Sequence, residues 1–177
     1  MLPHDCRLLE NKIESSKLTK ALFLVYFLLL VWIIIGKLHM NILDIQDINN
    51  RSINLIPFKG CAIVNGKIYK LELIINILLF IPLGIFMELL FAKKFYKNIL
   101  FILFVSISFE MIQYFLMIGV SDITDVMMNL LGGMVGLGII ESFQMIFDER
   151  VQTICNICAF GMICICLPFL LFISLMI

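Results

Sequence analysis

The stretch SDITDVMMNLLGGMVG, Ser121 to Gly136, starts with the residues of a helix cap and continues as a glycine-rich apolar run. Asp122 and Asp125 precede the apolar part, and Asn129 lies inside it. Aspartate is favoured near the positive N-terminal end of a helix, so the two acids predict a helix start. The apolar residues that follow are numerous enough to continue across a bilayer. The stretch therefore predicts a membrane-spanning helix with polar residues at one end.

The composition of the whole chain is typical of an integral membrane protein. Hydrophobic residues make up 62% and charged residues 15% of its 177 positions, and the mean hydropathy is +1.09. Soluble domains carry about 45–50% apolar and about 25% charged residues. The formal net charge is zero, which gives no indication of a nucleic-acid partner. We expect an all-α compact bundle of about five transmembrane helices, with no room for a large additional domain.

Five apolar segments are predicted to span the membrane, because each approaches the roughly 20 residues that a span needs. The predicted spans are about 21–36, 71–92, 99–118, 125–147 and 154–177. The rest of the chain is predicted as a cytosolic N-terminal segment, 1–20, an outer loop, 37–70, and a C-terminal region, 148–177, that includes the fifth span. The first span resembles a signal-peptide core in length, but no small-residue cleavage site follows it. It is predicted to be a retained anchor.

The Lys and Arg residues in the connections predict the orientation, because positive residues resist translocation. With the N-terminus in the cytosol, the inner connections carry eight Lys and Arg residues and the outer connections carry five. All five outer ones lie in the loop 37–70, where the rule is weaker because the loop is long. The distribution predicts an N-in/C-out protein, which places the turn before the fourth span on the outer side.

Polar residues from three predicted spans lie at similar depths near that outer side. With a rise of 1.5 Å per residue, Asn76, Glu110, Gln113 and Asn129 lie about 6–12 Å below the outer ends of their spans. An acid at the centre of a membrane helix costs about 2.5–3.5 kcal/mol on insertion scales, so such residues face the protein interior and find partners. Glu110 and Gln113 share a helix face because they are three residues apart. These positions predict an outward-facing polar pocket.

Structural alternatives exist for most of these residues. Asp122 or Ser121 can be an N-cap, Asp125 a first-turn acid, and Asn76 and Gln113 interhelical hydrogen-bonding residues. Glu110 differs from them, because a membrane-embedded acid with no basic residue in its own span is a functional candidate by default. Further along the face of Asp125 and Asn129, Gly132 and Gly136 form a G-x-x-x-G pattern, which predicts close helix packing.

Four motifs together resemble the VanZ-like membrane proteins, a bacterial family associated with resistance to teicoplanin. The motifs are RSINLIPF (Arg51 to Phe58), NILLFIPLGIF (Asn76 to Phe86), SISFEMIQYF (Ser106 to Phe115) and SDITDVMMNLLGGMVG (Ser121 to Gly136). Their order and separations match the family over about residues 51–140. The resemblance implies a VanZ-like transmembrane domain over 21–147 and a multi-pass protein of the bacterial cytoplasmic membrane.

The resemblance also implies which residues form a site. The family pattern falls on Arg51, Asn54, Pro57, Phe58, Asn76, Pro82, Gly84, Glu110, Gln113, Asp122, Asp125, Asn129 and Gly132. From this set, the candidate catalytic residues are Glu110 and Asp125, and the candidate ligand-binding residues are Arg51, Asn54, Asn76, Gln113, Asp122 and Asn129. Arg51 suits bidentate contact with a carboxylate or phosphate, and a solvated loop arginine is the alternative.

The chain departs from the family pattern at two places. Many relatives carry a basic residue just before the acidic motif, where this chain has Gly119, Val120 and Ser121. Thr124 stands where a further aspartate is common. If either missing side chain is needed for the site, the chain is an altered member of the family.

The cysteines do not predict a metal or redox site. Cys155 and Cys158 form a C-x-x-C pair, but Cys164 and Cys166 lie deep in the last span and no histidine is near. Buried free cysteines commonly act as small hydrophobic residues. No metal and no cofactor are predicted.

Three hypotheses for the function follow. In the first, the outward-facing pocket binds a lipid or cell-wall intermediate, or alters the access of a glycopeptide to it. In the second, the protein is an enzyme that acts on a membrane-embedded lipid, with Glu110 as general acid or base and with Asp122 and Asp125 positioning a headgroup or divalent cation. In the third, it is a non-catalytic interaction module, including a homo-oligomer, that packs through Gly132 and Gly136.

Overall fold

The predicted spans form helices. The protein is described here by a computed structural model, which covers residues 16–34, 53–58, 63–64, 67–68, 70–91, 94–116, 121–147 and 150–176. The helices in these ranges are α1 (Ser16–Ile34), α2 (Lys70–Phe91), α3 (Phe95–Leu116), α4 (Ile123–Phe147) and α5 (Val151–Met176). Helices α1 to α4 each contain a segment long and apolar enough to cross a membrane, and α5 is a 26-residue helix. The predicted all-α membrane bundle is confirmed, and its N-in/C-out orientation stays a prediction.

Every helix begins before its predicted start, and α1 and α3 do so by four or five residues. Helix α1 begins at Ser16 instead of position 21, and α3 begins at Phe95 instead of position 99. The additional turn of α1 is stabilised by α5, because the fully buried Thr19 donates a hydrogen bond to Oδ1 of Asn156 at 3.0 Å. Its hydroxyl oxygen also accepts a bond from Nε2 of Gln152 at 2.9 Å. Hydropathy finds only the apolar part of each helix, so polar turns of this kind are missed.

Helices α2 and α4 pack backbone to backbone through glycines. A Cβ atom at Gly132 would overlap the carbonyl oxygen of Ile77, and one at Gly136 would overlap that of Ile81. From the other side, a Cβ at Gly84 would overlap the carbonyl oxygen of Gly133. Only residues without a side chain allow this separation. The G-x-x-x-G face therefore lies against α2 of the same chain.

Helix α1 packs on α2 beside Pro82. Proline lacks an N–H group and disrupts the turn that precedes it. The hydroxyl of Tyr26 donates to the carbonyl oxygen of Leu79 in that turn at 2.6 Å. The rings of Phe23 and Tyr26 contact the ring of Phe86, with centroid distances of 5.6 and 5.5 Å. These contacts place the aromatic part of the core between α1 and α2.

The loop 37–70, which is predicted to lie on the outer side, contains short strands that the sequence does not predict. Strand β1 (Ile53–Asn54) pairs in parallel with β4 (Ser121–Asp122), which immediately precedes α4. Strands β2 (Ile63–Val64) and β3 (Lys67–Ile68) form a separate antiparallel pair. Two-residue strands are too short to show the alternation by which a strand is recognised. The β1–β4 pair attaches the N-L-I-P-F segment to the start of α4.

Candidate functional site

Asp122 begins α4 and also contacts α3. Its Oδ1 accepts hydrogen bonds from the N–H and from the hydroxyl of Thr124, both at 2.8 Å. This is an N-cap arrangement, in which a carboxylate satisfies a free amide of the first helical turn. The backbone N–H of Asp122 donates to Oε2 of Glu110 at 3.0 Å. One residue therefore bonds the start of α4 to the acid on α3.

Glu110 is a buried acid within a membrane-spanning helix. Its side chain is 5% exposed, and besides the Asp122 amide it is hydrogen-bonded by the side chain of Ser121. Asp125 and Asp122 are both close enough to interact with it electrostatically, Asp125 more strongly. Two donors thus hold the carboxyl group in a position where other acids surround it. Such an arrangement is costly to maintain inside a membrane.

Asn76 connects α2 to the same region. Its Nδ2 donates to Oδ1 of Asp125 at 2.7 Å, and the asparagine is 8% exposed. Asp125 lies in the first turn of α4 and is half-buried. Helices α2, α3 and α4 therefore meet at polar side chains near one end of the bundle, at the overlapping depth that the helix rise indicates.

Asn129 lies one turn further into the bundle than Asp125. It is 5% exposed, and its Nδ2 donates to the hydroxyl of the fully buried Ser106 at 3.0 Å. The sequence predicts that Asn129 extends the polar surface towards Glu110, Gln113 and Asn76, but this bond reaches α3 one turn below Glu110. Gln113 is half-buried and forms none of the hydrogen bonds found among the described residues of this region.

The N-L-I-P-F segment contributes Asn54. The β1–β4 register places Asn54 opposite Asp122. The Oδ1 of Asn54 accepts a bond from the N–H of Ile56 at 3.3 Å, whereas its Nδ2 is buried and has no hydrogen-bond partner within the described ranges. Among the described residues, this amide is therefore a donor without an acceptor beside an acid-rich region. Arg51, the other residue predicted from this segment, lies outside the described residues.

Phe58 is held in a strained conformation by the same region. Its φ of 63° is in the left-handed range, which costs a non-glycine residue about 1–2 kcal/mol. The N–H of Phe58 donates to Oγ1 of Thr124 at 2.9 Å. Strained backbone of this kind persists where surrounding contacts hold it, and it is frequent at functional sites.

Three residues of this region were not among the predicted site residues: Ser106, Ser121 and Thr124. Thr124 is 1% exposed and its hydroxyl donates to Asp122 while accepting from Phe58. A carboxylate could not make that donation and would bring a like charge towards Asp122. The spacing Asp122-x-Thr124 is the signal that indicates a cap, whereas nothing in the sequence distinguishes Ser106 from the nearby Ser108.

Eight side chains form what we call the outer polar cluster: Asn76, Ser106, Glu110, Ser121, Asp122, Thr124, Asp125 and Asn129. The cluster is rich in acceptor oxygens, and its acids come from α3, β4 and α4. Such a surface suits ligands that present hydroxyl, amine or amide donors. Within the described ranges, no group of three or more His, Cys, Asp and Glu side chains is arranged to hold a metal ion.

The region of the chain that matches known proteins includes every residue of the outer polar cluster. Residues 23–144 match the VanZ/LLP1 family. Protein VanZ of Enterococcus faecium is 37% identical over 121 residues, which is 68% of this chain and 71% of that protein. No solved structure matches the chain. The matched region includes all of α2 and α3 and ends three residues before α4 does.

Proposed function

The chain belongs to the VanZ/LLP1 family, and from that premise we propose that it protects bacteria against teicoplanin by engaging an envelope ligand at the outer polar cluster. The ligand class is a membrane lipid or a cell-wall intermediate, and the membrane is the bacterial cytoplasmic membrane. Four membrane-crossing helices and the family membership support a membrane role. In the predicted orientation, the cluster faces the side on which a glycopeptide acts.

The observation that carries this proposal is the position of Glu110. It is an acid that is 5% exposed in a membrane helix, and it interacts electrostatically with two further acids. A glutamine would accept the same hydrogen bond from the Asp122 amide without the cost of a buried charge. A purely structural role therefore does not require the acid. A ligand with cationic or hydroxyl donors would bind the Glu110 carboxylate more strongly than a neutral amide, because hydrogen bonds to charged groups are stronger than those between neutral groups.

The chemistry of the ligand follows from the groups at the site. Glu110, Asp122 and Asp125 offer carboxylate oxygens, which accept bonds from hydroxyl and amine groups. Asn54 offers an amide donor with no described partner, which suits a carbonyl or phosphate oxygen. Lipid headgroups and lipid-linked cell-wall intermediates present both kinds of group. The proposal rests on this complementarity between donors and acceptors.

The test is teicoplanin susceptibility in cells that produce no protein, wild type, or Glu110→Gln, with membrane levels matched by immunoblot. We expect wild type to raise the inhibitory concentration and Glu110→Gln to return it to that of cells without the protein. Ser108→Ala is the matched control, because Ser108 is on α3 and its hydroxyl donates to the carbonyl oxygen of Phe104 in the same helix at 2.7 Å, with no other partner among the described residues. Full protection by Glu110→Gln at wild-type abundance would refute the proposal.

A second candidate function is catalysis on a lipid. The electrostatic contact between Glu110 and Asp125 favours it, because two neighbouring acids can divide the roles of proton donor and acceptor. The purified wild type, incubated with an extract of bacterial lipids, would then form a product that Glu110→Gln does not form. An inert wild type that still binds lipid in a Glu110-dependent manner would support binding alone.

A further inference from the structure

A second polar junction lies at the opposite ends of the same three helices. Near the end of α2, Glu88 accepts a hydrogen bond through Oε2 from Nδ2 of Asn98 in the first turns of α3, at 2.8 Å. Glu141 is one turn after Leu137, whose backbone nitrogen lies against Gly84, one turn before Glu88, so the two glutamates lie at the same level of adjoining helices. We call Glu88, Asn98 and Glu141 the inner site. The predicted orientation places it on the cytosolic side.

Asn98 has an acceptor that none of the described residues satisfies. The residue is 0% exposed, and its Oδ1 is buried without a hydrogen-bond partner in the described part of the chain. Because Nδ2 of the same planar amide is held by Glu88, Oδ1 is fixed beside the glutamate. Buried acceptors are rarely left unpaired, since the lost hydrogen bond is costly. The amide oxygen therefore indicates a partner that the described side chains do not supply.

The acids of the inner site also lack a basic partner among the described residues. The groups found to influence Glu88 electrostatically or by hydrogen bonding are Glu141 and Asn98, and neither is basic. Lys94 and Lys97, the nearest described lysines along the chain, are exposed. Within the described ranges, neither Glu88 nor Glu141 forms an ion pair with a basic residue. Two acids and an amide oxygen thus lie at one level of the bundle, with no cationic partner among the described residues.

We propose that Glu88, Glu141 and Oδ1 of Asn98 bind a divalent cation of the magnesium class. Carboxylate and amide oxygens are hard ligands, which such cations prefer. Mg²⁺ commonly keeps several waters and is held by only one or two carboxylates, which fits two glutamates and one amide. The inner site contains two acids and one amide, so it is not one of the groups of three or more His, Cys, Asp and Glu side chains that are absent from the described ranges. The bound cation would join the ends of α2, α3 and α4.

The test uses Mn²⁺ as a paramagnetic probe for the site in the purified full-length chain, held in an uncharged detergent. Electron paramagnetic resonance of free Mn²⁺ measures binding during a titration. We expect one saturable Mn²⁺ per chain, displaced by excess Mg²⁺. Glu88→Gln and Glu141→Gln are each expected to weaken binding about tenfold or more. Glu141 is exposed, so its substitution tests the site without threatening the fold.

Glu110→Gln is the matched control, because it removes an acid at the other end of α3. It is expected to leave Mn²⁺ binding unchanged. The inner site is refuted if wild type shows no saturable Mn²⁺, or if Glu88→Gln and Glu141→Gln bind Mn²⁺ as tightly as wild type. It is refuted equally if Glu110→Gln abolishes binding that the other variants keep. None of these results depends on teicoplanin protection, so the inner site and the proposed function can fail separately.

Discussion

Asp122 connects more of the site than any other residue described. Its carboxylate caps α4 through Thr124, its amide binds Glu110, and its strand pairs with the N-L-I-P-F segment. The cap follows from the sequence, because an aspartate before an apolar run favours a helix start. The hydrogen bond from the Asp122 amide to Glu110 could not be predicted from the sequence. Helix rise gives the depth of Glu110, but not the direction of a backbone N–H in the preceding turn.

The hydroxyl group of Thr124 is expected to contribute to the stability of this chain through its two hydrogen bonds. Thr124→Val keeps the shape but removes the hydroxyl, which leaves the Phe58 N–H without its acceptor and Asp122 without one donor. The bond to Asp122 is buried and the bond from Phe58 is partly buried, and an unsatisfied buried polar group costs about 1–3 kcal/mol. We expect Thr124→Val to lower the thermal unfolding temperature in detergent and to increase hydrogen exchange at Phe58.

Thr124→Ser is the control for that experiment, since serine retains both hydrogen bonds. It is expected to behave much more like wild type than Thr124→Val. If the valine and serine variants unfold at the same temperature and exchange equally at Phe58, the hydroxyl does not hold the loop.

At the scale of elements, the G-x-x-x-G pattern is used within the chain. Gly132 and Gly136 lie against the carbonyl oxygens of Ile77 and Ile81 in α2. The pattern alone predicts close packing, but not which helix is the partner. Helix positions were predictable to within a few residues from apolar length. The strands were not, because their stability comes from pairing between β1 and β4, which are far apart in the sequence.

A matched pair of alanine substitutions tests the packing of α2 on α4. Gly136→Ala places a Cβ on the backbone of Ile81, whereas Gly138→Ala places one where no atom lies within 4 Å. Overpacking of this kind costs about 1–3 kcal/mol, and more where backbone must move. We expect Gly136→Ala to lower the unfolding temperature or the yield of folded protein, as judged by size-exclusion chromatography. Equal stability of the two variants would show that the helices are not in close contact there.

At the scale of the whole molecule, polar groups lie at both ends of the three central helices. Hydrogen bonds of the outer polar cluster join α2, α3 and the start of α4 at one end, and the bond between Asn98 and Glu88 joins α3 to α2 at the other. Helix α5 lies beyond the region matched to the family and contacts α1 through Asn156 and Thr19. The sequence predicts the bundle and the depths of its polar residues, but only the fold shows which of these residues are hydrogen-bonded to one another.

The account's central claim is that an envelope ligand binds at the outer polar cluster through Glu110. The most direct measurement introduces a photoreactive benzophenone amino acid in living cells at position 113, in place of Gln113. This residue is half-buried and lies on the helix face of Glu110. Position 104 is the control, because Phe104 is 69% exposed on the same helix. Adducts formed under ultraviolet light are identified by mass spectrometry.

The account predicts an adduct with a lipid or cell-wall intermediate at position 113 that is absent at position 104. Glu110→Gln should reduce that adduct about tenfold, as expected for the loss of a charged hydrogen-bond acceptor. Identical adducts at the two positions, unchanged by Glu110→Gln, would mean that only bulk membrane lipid contacts α3. That result would contradict the central claim.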